Sequence, residues 1–217
     1  MGWKLLLVFA WGAWACAGAW GQSLRNSNFD LLLAARDGNV AAAGALLAQG
    51  ASPNARNRLG DTPLNIAARN GQLELVRLLL GAGAEVDQPN LARVTPLMSA
   101  AFGGHDAVVR ELLARRADFS RSDRIHKTAL VYAAGSGNAA CVAALLDAGA
   151  DPNERDSESA TPLMWAAGAG KLDNVKLLLA RGADVDARDT RGKSALAIAQ
   201  DEKQAEAAAL LKQAGAH

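Results

Sequence analysis

Thr62-Pro63-Leu64-Asn65-Ile66-Ala67-Ala68-Arg69-Asn70-Gly71 decides the fold, because most of this stretch returns every 33 residues. Thr95-Pro96-Leu97, Thr128-Ala129-Leu130, Thr161-Pro162-Leu163 and Ser194-Ala195-Leu196 keep the step. The small pair Ala67-Ala68 recurs as Ala100-Ala101, Ala133-Ala134 and Ala166-Ala167, and the last copy has Ala199 followed by Gln200. One step before the first copy, Phe29-Asp30-Leu31 with Ala34-Ala35 opens the array in degenerate form. Gly38, Gly71, Gly104, Gly137 and Gly170 make a second series. Gly50, Gly83, Gly149, Gly182 and Gly215, each followed by alanine, make a third. Three series in one phase establish internal repetition.

Each position has a chemical reason. Thr or Ser caps a helix by accepting from its orphan N–H groups. Proline directly after it occupies the first helical position, where its missing N–H costs nothing. The alanine pair lets a neighbouring helix approach closely. Gly71 and its equivalents end the short helix in a left-handed conformation. A second helix is predicted over Leu73-Glu74-Leu75-Val76-Arg77-Leu78-Leu79-Leu80, with Val76, Leu79 and Leu80 at helical spacing, and Gly83 ends it. Asn54, Asp87, Asn153 and Asp186 then suit a tight turn through local side-chain-to-backbone bonds.

The pattern resembles the ankyrin repeat, a turn plus two helices over 33 residues with a T-P-L-H-x-A segment. The resemblance covers about residues 24 to 217. It implies an all-α solenoid of antiparallel helix pairs with projecting hairpin-like loops, curved so that loop tips and inner helices line a concave face that binds other proteins. Six units follow, at about 24–56, 57–89, 90–122, 123–155, 156–188 and 189–217. Two departures matter. Asn65, Met98, Val131, Met164 and Ala197 stand where the family has histidine, so the network of that histidine is absent or rebuilt. Arg116 replaces the glycine after a second helix, and its turn is expected to be distorted. The first unit lacks the Thr cap, and the last carries Glu206, Lys212 and Gln213 in its second helix. Both ends read as polar caps of a complete array.

Residues 1–21 differ in kind. Lys4 precedes the apolar run Leu5-Leu6-Leu7-Val8-Phe9-Ala10-Trp11, and small residues follow. This matches a secretory signal peptide, with Ala15-Cys16-Ala17, Ala17-Gly18-Ala19 and Ala19-Trp20-Gly21 as alternative cleavage sites. The competing readings are a membrane anchor through residues 5–21 and a lipoprotein using Cys16, for which Ala13-Trp14-Ala15 is a poor match. The setting expected is therefore periplasmic or secreted. Alanine-rich repeats and the short leader point to a bacterial source. Removal of the leader would leave Cys141 as the one cysteine, at an apolar repeat position that reads as a buried small hydrophobe. Such a protein has no internal disulfide framework and is stable by packing alone.

Half of the residues are hydrophobic but 5% are aromatic, which suits closely spaced helices. A net charge of +1 argues against nucleic acid as the main partner. His105 sits at a polar turn position, His126 in a projecting loop and His217 at the end, so no pair has helical metal-site spacing. The glycines recur with the repeat rather than forming a phosphate loop, and no G-x-S-x-G elbow occurs. No enzyme, cofactor or metal is expected.

Binding residues are sought where the scaffold dictates nothing: loops before the capping residue and the pair before the turn glycine. Arg58, Leu59, Asp61, Arg69 and Asn70 stand there in the second unit; Leu91, Ala92, Val94, Phe102 and Gly103 in the third. The fourth contributes Arg124, Ile125, Lys127, Gly135 and Ser136, and the fifth Ser157, Glu158, Ala160, Gly168 and Ala169. Leu59, Leu91, Val94, Phe102 and Ile125 form an apolar series that is either an exposed interaction surface or loop packing. Tyr132 and Trp165 share one inner-helix position, as interface anchors or inter-repeat packing. Arg110, Arg115, Arg116, Arg121, Arg124 and Lys127 outnumber nearby acids, and Asp147, Asp151, Glu154, Asp156 and Glu158 reverse the sign next. The chain reads as a monomeric adaptor or inhibitor of another protein, with an envelope stress-protective scaffold and an immunity-type inhibitor or host-directed effector as alternatives.

Overall fold

The computed structural model describes residues 26–136 and 138–217; the leader and its cleavage sites lie outside them. The described residues form helices α1 (26–37), α2 (Val40–Ala48), α3 (Pro63–Arg69), α4 (Leu73–Gly81), α5 (Pro96–Gly103) and α6 (Asp106–Ala114). α7 (Ala129–Ser136), α8 (Ala139–Asp147), α9 (Pro162–Gly168), α10 (Leu172–Ala180), α11 (Ala195–Asp201) and α12 (Ala205–Gln213) complete the series. Odd-numbered helices from α3 to α11 pack in one row and even-numbered ones in a second row behind them. The elements are all helical, as the repeat pattern implies.

Local chemistry starts each inner helix. Thr62, Thr95 and Thr161 accept through their side chains from the backbone N–H three residues on, with proline next in line. Ser194 does the same for α11. The histidine position is rebuilt rather than vacant: Asn65 Oδ1 accepts from Thr62 N (3.0 Å) and Thr62 Oγ1 (2.8 Å), and its Nδ2 donates to Val94 O in the next unit. Met98 and Met164 turn a sulfur toward the same capping amide. The alanine pairs from Ala67 to Ala167 are fully enclosed, so inner helices meet at backbone distance. In α4 the buried face is Leu75, Val76 and Leu79; Leu80, placed on it by spacing, is half-buried. Cys141 is enclosed, and burial pushes its thiol up to about 11, which keeps it unreactive.

Two expectations are corrected. The turn at Arg116 is not distorted. Arg116 has φ 61°, its N–H donates to Leu113 O (2.9 Å), and Ala117 N donates to Leu112 O (3.0 Å). Gly83 and Ala84 make the same pair of bonds, at 3.2 and 2.9 Å. The left-handed region is costly for arginine but open to it, and the surrounding turn dictates it. Arg116→Gly is accordingly expected to raise the unfolding free energy by about 0.5–1 kcal/mol, relief of strain exceeding the entropy that glycine adds to the unfolded chain. Urea titration of both proteins measures it; an unchanged or lower midpoint counts against strain at this turn.

The second correction concerns Asn54, Asp87, Asn153 and Asp186, whose side chains act between units instead of locally. Asn54 accepts from Glu85 N (2.9 Å) and donates to Gly83 O (3.3 Å), and Asn153 repeats this with Asp184 N and Gly182 O. Asp87 accepts from Asp118 N and Asp186 from His217 N. The local turn bond is accepted two residues earlier instead: Ser120 N donates to Asp118 and Asn153 N to Asp151. Asn54, Asp87, Asn153 and Asp186 thus bolt four of the five junctions between units; at the junction of the third and fourth units Ser120 stands in the position and its hydroxyl donates to Asp118 instead.

Candidate functional site

The projecting loops owe their shape to one residue in each of the last five units, at a position the sequence pattern does not single out: Asn57, Asn90, Asp123, Asp156 and Asp189. Each Oδ1 accepts from the backbone N–H groups two and four residues on, for example Ile125 and Lys127 on Asp123, both at 2.9 Å. Leu59 and Asp61 on Asn57, Ala92 and Val94 on Asn90, Glu158 and Ala160 on Asp156, and Arg191 and Lys193 on Asp189 follow suit. Neighbouring loops are also joined directly, Leu91 N to Leu59 O (3.0 Å) and Ser157 N to Ile125 O (3.1 Å). The loops are thus rigid platforms.

The second oxygen of two of these carboxylates fixes an aromatic ring. Tyr132 Oη donates to Asp123 Oδ2 at 2.6 Å and Trp165 Nε1 to Asp156 Oδ2 at 2.9 Å. Asp123 and Asp156 are buried. Burial, with the Asp123 carboxylate beside it, raises the Tyr132 phenol above its usual value, so it remains a neutral donor. Phe102 meets Tyr132 edge-on, ring centroids 5.9 Å apart at 88°. The Lys127 ammonium stands over Trp165, 3.7 Å from the ring centroid. A cleft of about 510 Å³ opens beside these rings, and Met164, Ile198 and Glu202 also line it.

Its cause is legible in one column of the sequence. Arg69, Phe102 and Asp201 occupy the inner-helix position that is Gly135 in α7 and Gly168 in α9. Two successive units lack a side chain there, and the missing volume becomes the cleft. Gly135 and Gly168 both line it. A Cβ at Gly135 would touch Trp165 at an ordinary 3.7 Å, whereas one at Gly168 would meet Ile198 Cγ2 at 2.9 Å.

The remaining candidates divide. Leu59 (65%), Leu91 (57%), Phe102 (56%) and Ile125 (49%) are exposed, so for them the loop-packing reading fails. For Val94 it holds, since this side chain is half-buried against the core. Of the two aromatics read as anchors or inter-repeat packing, Tyr132 is half-buried against the core and Trp165 is 37% exposed. Leu59 and Leu91 lie in bonded neighbouring loops, and Phe102, Tyr132, Lys127 and Trp165 share the cleft. Ile125 is exposed outside the cleft. Arg69 is engaged with Asp61 (3.1 Å). Arg58 and Arg124 are exposed and make no ion pair among the described residues. Exposed Phe29 was missed; with Arg58 and Leu59 it lines a second hollow at the first unit.

A family model described as ankyrin repeats (3 copies) matches residues 31–123, 82–156, 108–189 and 130–217, together nearly the whole described chain. The chain is an ankyrin-repeat protein. No curated protein matches it. Ankyrin repeats are generic protein–protein interaction modules, typically non-enzymatic scaffolds. In this ankyrin stack no group of three or more His, Cys, Asp or Glu among the described residues is placed to hold a metal ion. Among the same residues no helix is long and apolar enough to cross a membrane.

Proposed function

We propose that this ankyrin stack is an exported bacterial adaptor or inhibitor that holds another protein against its concave face, centred on Phe102, Tyr132 and Trp165. The observation that carries the reading is the pinning of Tyr132 and Trp165 by buried carboxylates while their rings line an open cleft. Rings held in place before binding lose little entropy on association, which is what makes an aromatic anchor effective. Three loop tips add support. Arg93, His126 and Ser159 have φ of 65°, 60° and 59°, where the outer loops carry Gly60 and Gly192. Keeping side chains there costs about 1 kcal/mol each, a cost that fits residues retained for contact. Export is supported by the leader's composition and by a fold whose one cysteine beyond it is buried.

Phe102→Asp combined with Leu91→Asp tests the face. Both side chains are exposed, so the thermal midpoint is expected to stay within about 2 °C of the parent, while a stoichiometric partner retained by the tagged full chain is expected to be lost. A partner that survives both changes sinks the concave-face reading. The mass of the protein recovered from the cell envelope checks export: a chain beginning after residue 17, 19 or 21 is expected, and an intact leader would count against it.

A further inference from the structure

The loop residue just before each capping position and the inner-helix residue eight further on line the concave side as pairs. In the second unit they are Asp61 and Arg69, joined at 3.1 Å, and in the sixth Lys193 and Asp201, joined at 2.5 Å. In the third they are Val94 and Phe102, both apolar. In the fourth they are Lys127 and Gly135, so the cation is present and its partner position has no side chain. The fifth, Ala160 and Gly168, supplies neither. The concave face is therefore closed by an ion pair near each end and open in the middle, where Lys127 rests on the Trp165 ring without a carboxylate.

We infer that the partner completes this gap: it is an acidic protein segment that brings a carboxylate to Lys127 beside one apolar side chain filling the space over Gly135 and Gly168. The inference rests on the reading of the concave face as a docking surface. Charge supports it in three ways. Arg58, Arg93 and Arg124, on successive loops leading to Lys127, make no ion pair among the described residues. The carboxylates Asp123 and Asp156 are buried, do not line the cleft and each hold two backbone amides and one aromatic donor, so they are turned away from a ligand. The other charged groups at the cleft are Arg191, held by Asp189 at 2.7 Å on the loop side, and Glu202 on the helix side. A bound carboxylate is thereby directed to the loop edge, where the cations are. An apolar residue flanked by acids satisfies both halves of the site, and a basic segment would leave Lys127 facing a like charge.

Three dye-labelled heptapeptide probes decide it by fluorescence anisotropy on the full chain. One has a central phenylalanine between acidic triplets, the second has lysine for every acid, and the third has alanine for the phenylalanine. The first is expected to bind at least about tenfold more tightly than the other two, and more weakly as salt is raised. Gly135→Asp gives Lys127 the internal partner that Lys193 has in Asp201, and should weaken the first probe about tenfold, while Gly135→Asn, of the same shape without the charge, should weaken it less than Gly135→Asp does. Lys127→Glu should reverse the order of the first two probes. Circular dichroism confirms that each variant is folded before binding is read. If the acidic and lysine probes bind alike, or no probe binds, or Gly135→Asp has no effect, the acidic-segment assignment is overturned. Loss of the native partner in the Phe102→Asp, Leu91→Asp protein would then still leave the docking face standing, whereas its retention removes both.

Discussion

Leu130→Ala is expected to lower the unfolding free energy by about 3–4 kcal/mol, a large part of what a domain of this size holds in reserve. Leu130 is 1% exposed in α7, and α7 packs on α5 on one side and α9 on the other. Truncation removes apolar surface from two inter-unit interfaces at once. The surroundings are poorly able to collapse, because Ala133 and Ala134 already bring the backbones as close as side chains allow. In a stack whose units touch only their neighbours, a weak link in the middle also divides the cooperative unit. The expected urea curve is therefore lower in midpoint and broader, with the first three helix pairs and the last three beginning to melt separately. Leu31→Ala, equally enclosed but in the first helix pair, should loosen that end and leave the main transition nearly in place. Far-UV circular dichroism distinguishes the two. A Leu130→Ala protein that melts within about 1 kcal/mol of the parent in a single sharp step would show that the central interfaces do not bind the array together.

The parts of this fold that could be read from sequence are those in which backbone chemistry admits few residues. The Thr and Ser caps, the prolines after them and the glycines at Gly71 and Gly104 occupy geometries with short lists of tolerated side chains, so a 33-residue recurrence exposes them. At Arg116 the cost of the left-handed region to arginine predicts a distorted turn, but the turn's hydrogen bonds to Leu112 and Leu113 hold the geometry that glycine has elsewhere. Asn54 and Asn153 depart from expectation for another reason. Their partners, Glu85 and Asp184, lie 31 residues on, a separation that becomes a contact only when one unit stacks on the next.

For the proposed binding face, asking which positions the scaffold leaves undetermined selects Leu59, Leu91, Val94 and Phe102 but leaves exposure or packing open, and the structure exposes Leu59, Leu91 and Phe102. Val94 is not exposed because its loop turns it inward against the core. The series Asn57, Asn90, Asp123, Asp156 and Asp189 was present in the same phase as the glycines. It passed unread because an Asx residue in a loop looks like ordinary turn chemistry until its second oxygen is seen on Tyr132 or Trp165. Gly135 and Gly168 were noted as loop-flanking positions, yet an absent side chain has meaning only beside Arg69, Phe102 and Asp201 in the same column. Pairing Lys127 with that gap required the distances at Asp61 and Lys193.

Stability is expected to fall as pH rises from about 4.5 to 7, and Glu154 is the cause. Its carboxyl stands in the connection from α8 to α9, half-buried, where Thr128 Oγ1, the capping hydroxyl of α7, hydrogen-bonds to Oε1. Burial disfavours the charged form and pushes the group up to about 7 from an ordinary 4.5; the bond from Thr128 opposes this, and the nearby Asp151 charge adds to it. An acid whose folded value is raised holds its proton in the native state after the unfolded chain has released it. The native form therefore binds more protons between the two values, and stability is lost across that window. The loss expected is about 2–3 kcal/mol, complete by pH 8. Asp118, Asp189 and Glu111 are lowered, by the Ser120 bond for Asp118, by backbone and Arg191 bonds exceeding the cost of burial for Asp189, and by the Arg77 bond for Glu111. Their slope has the opposite sign but lies below the ordinary carboxylate values, so it leaves this window clear. Glu154→Gln separates the two: it should match the parent near pH 4.5, exceed it by about 2 kcal/mol at pH 8, and flatten the profile between. Glutamine is sterically accommodated there, since Gln88 occupies the same loop position two units earlier. Urea midpoints at pH 4.5, 6, 7 and 8 give the answer. A parent stability that climbs through this range would mean that Thr128 and its backbone neighbours favour the carboxylate more than burial opposes it.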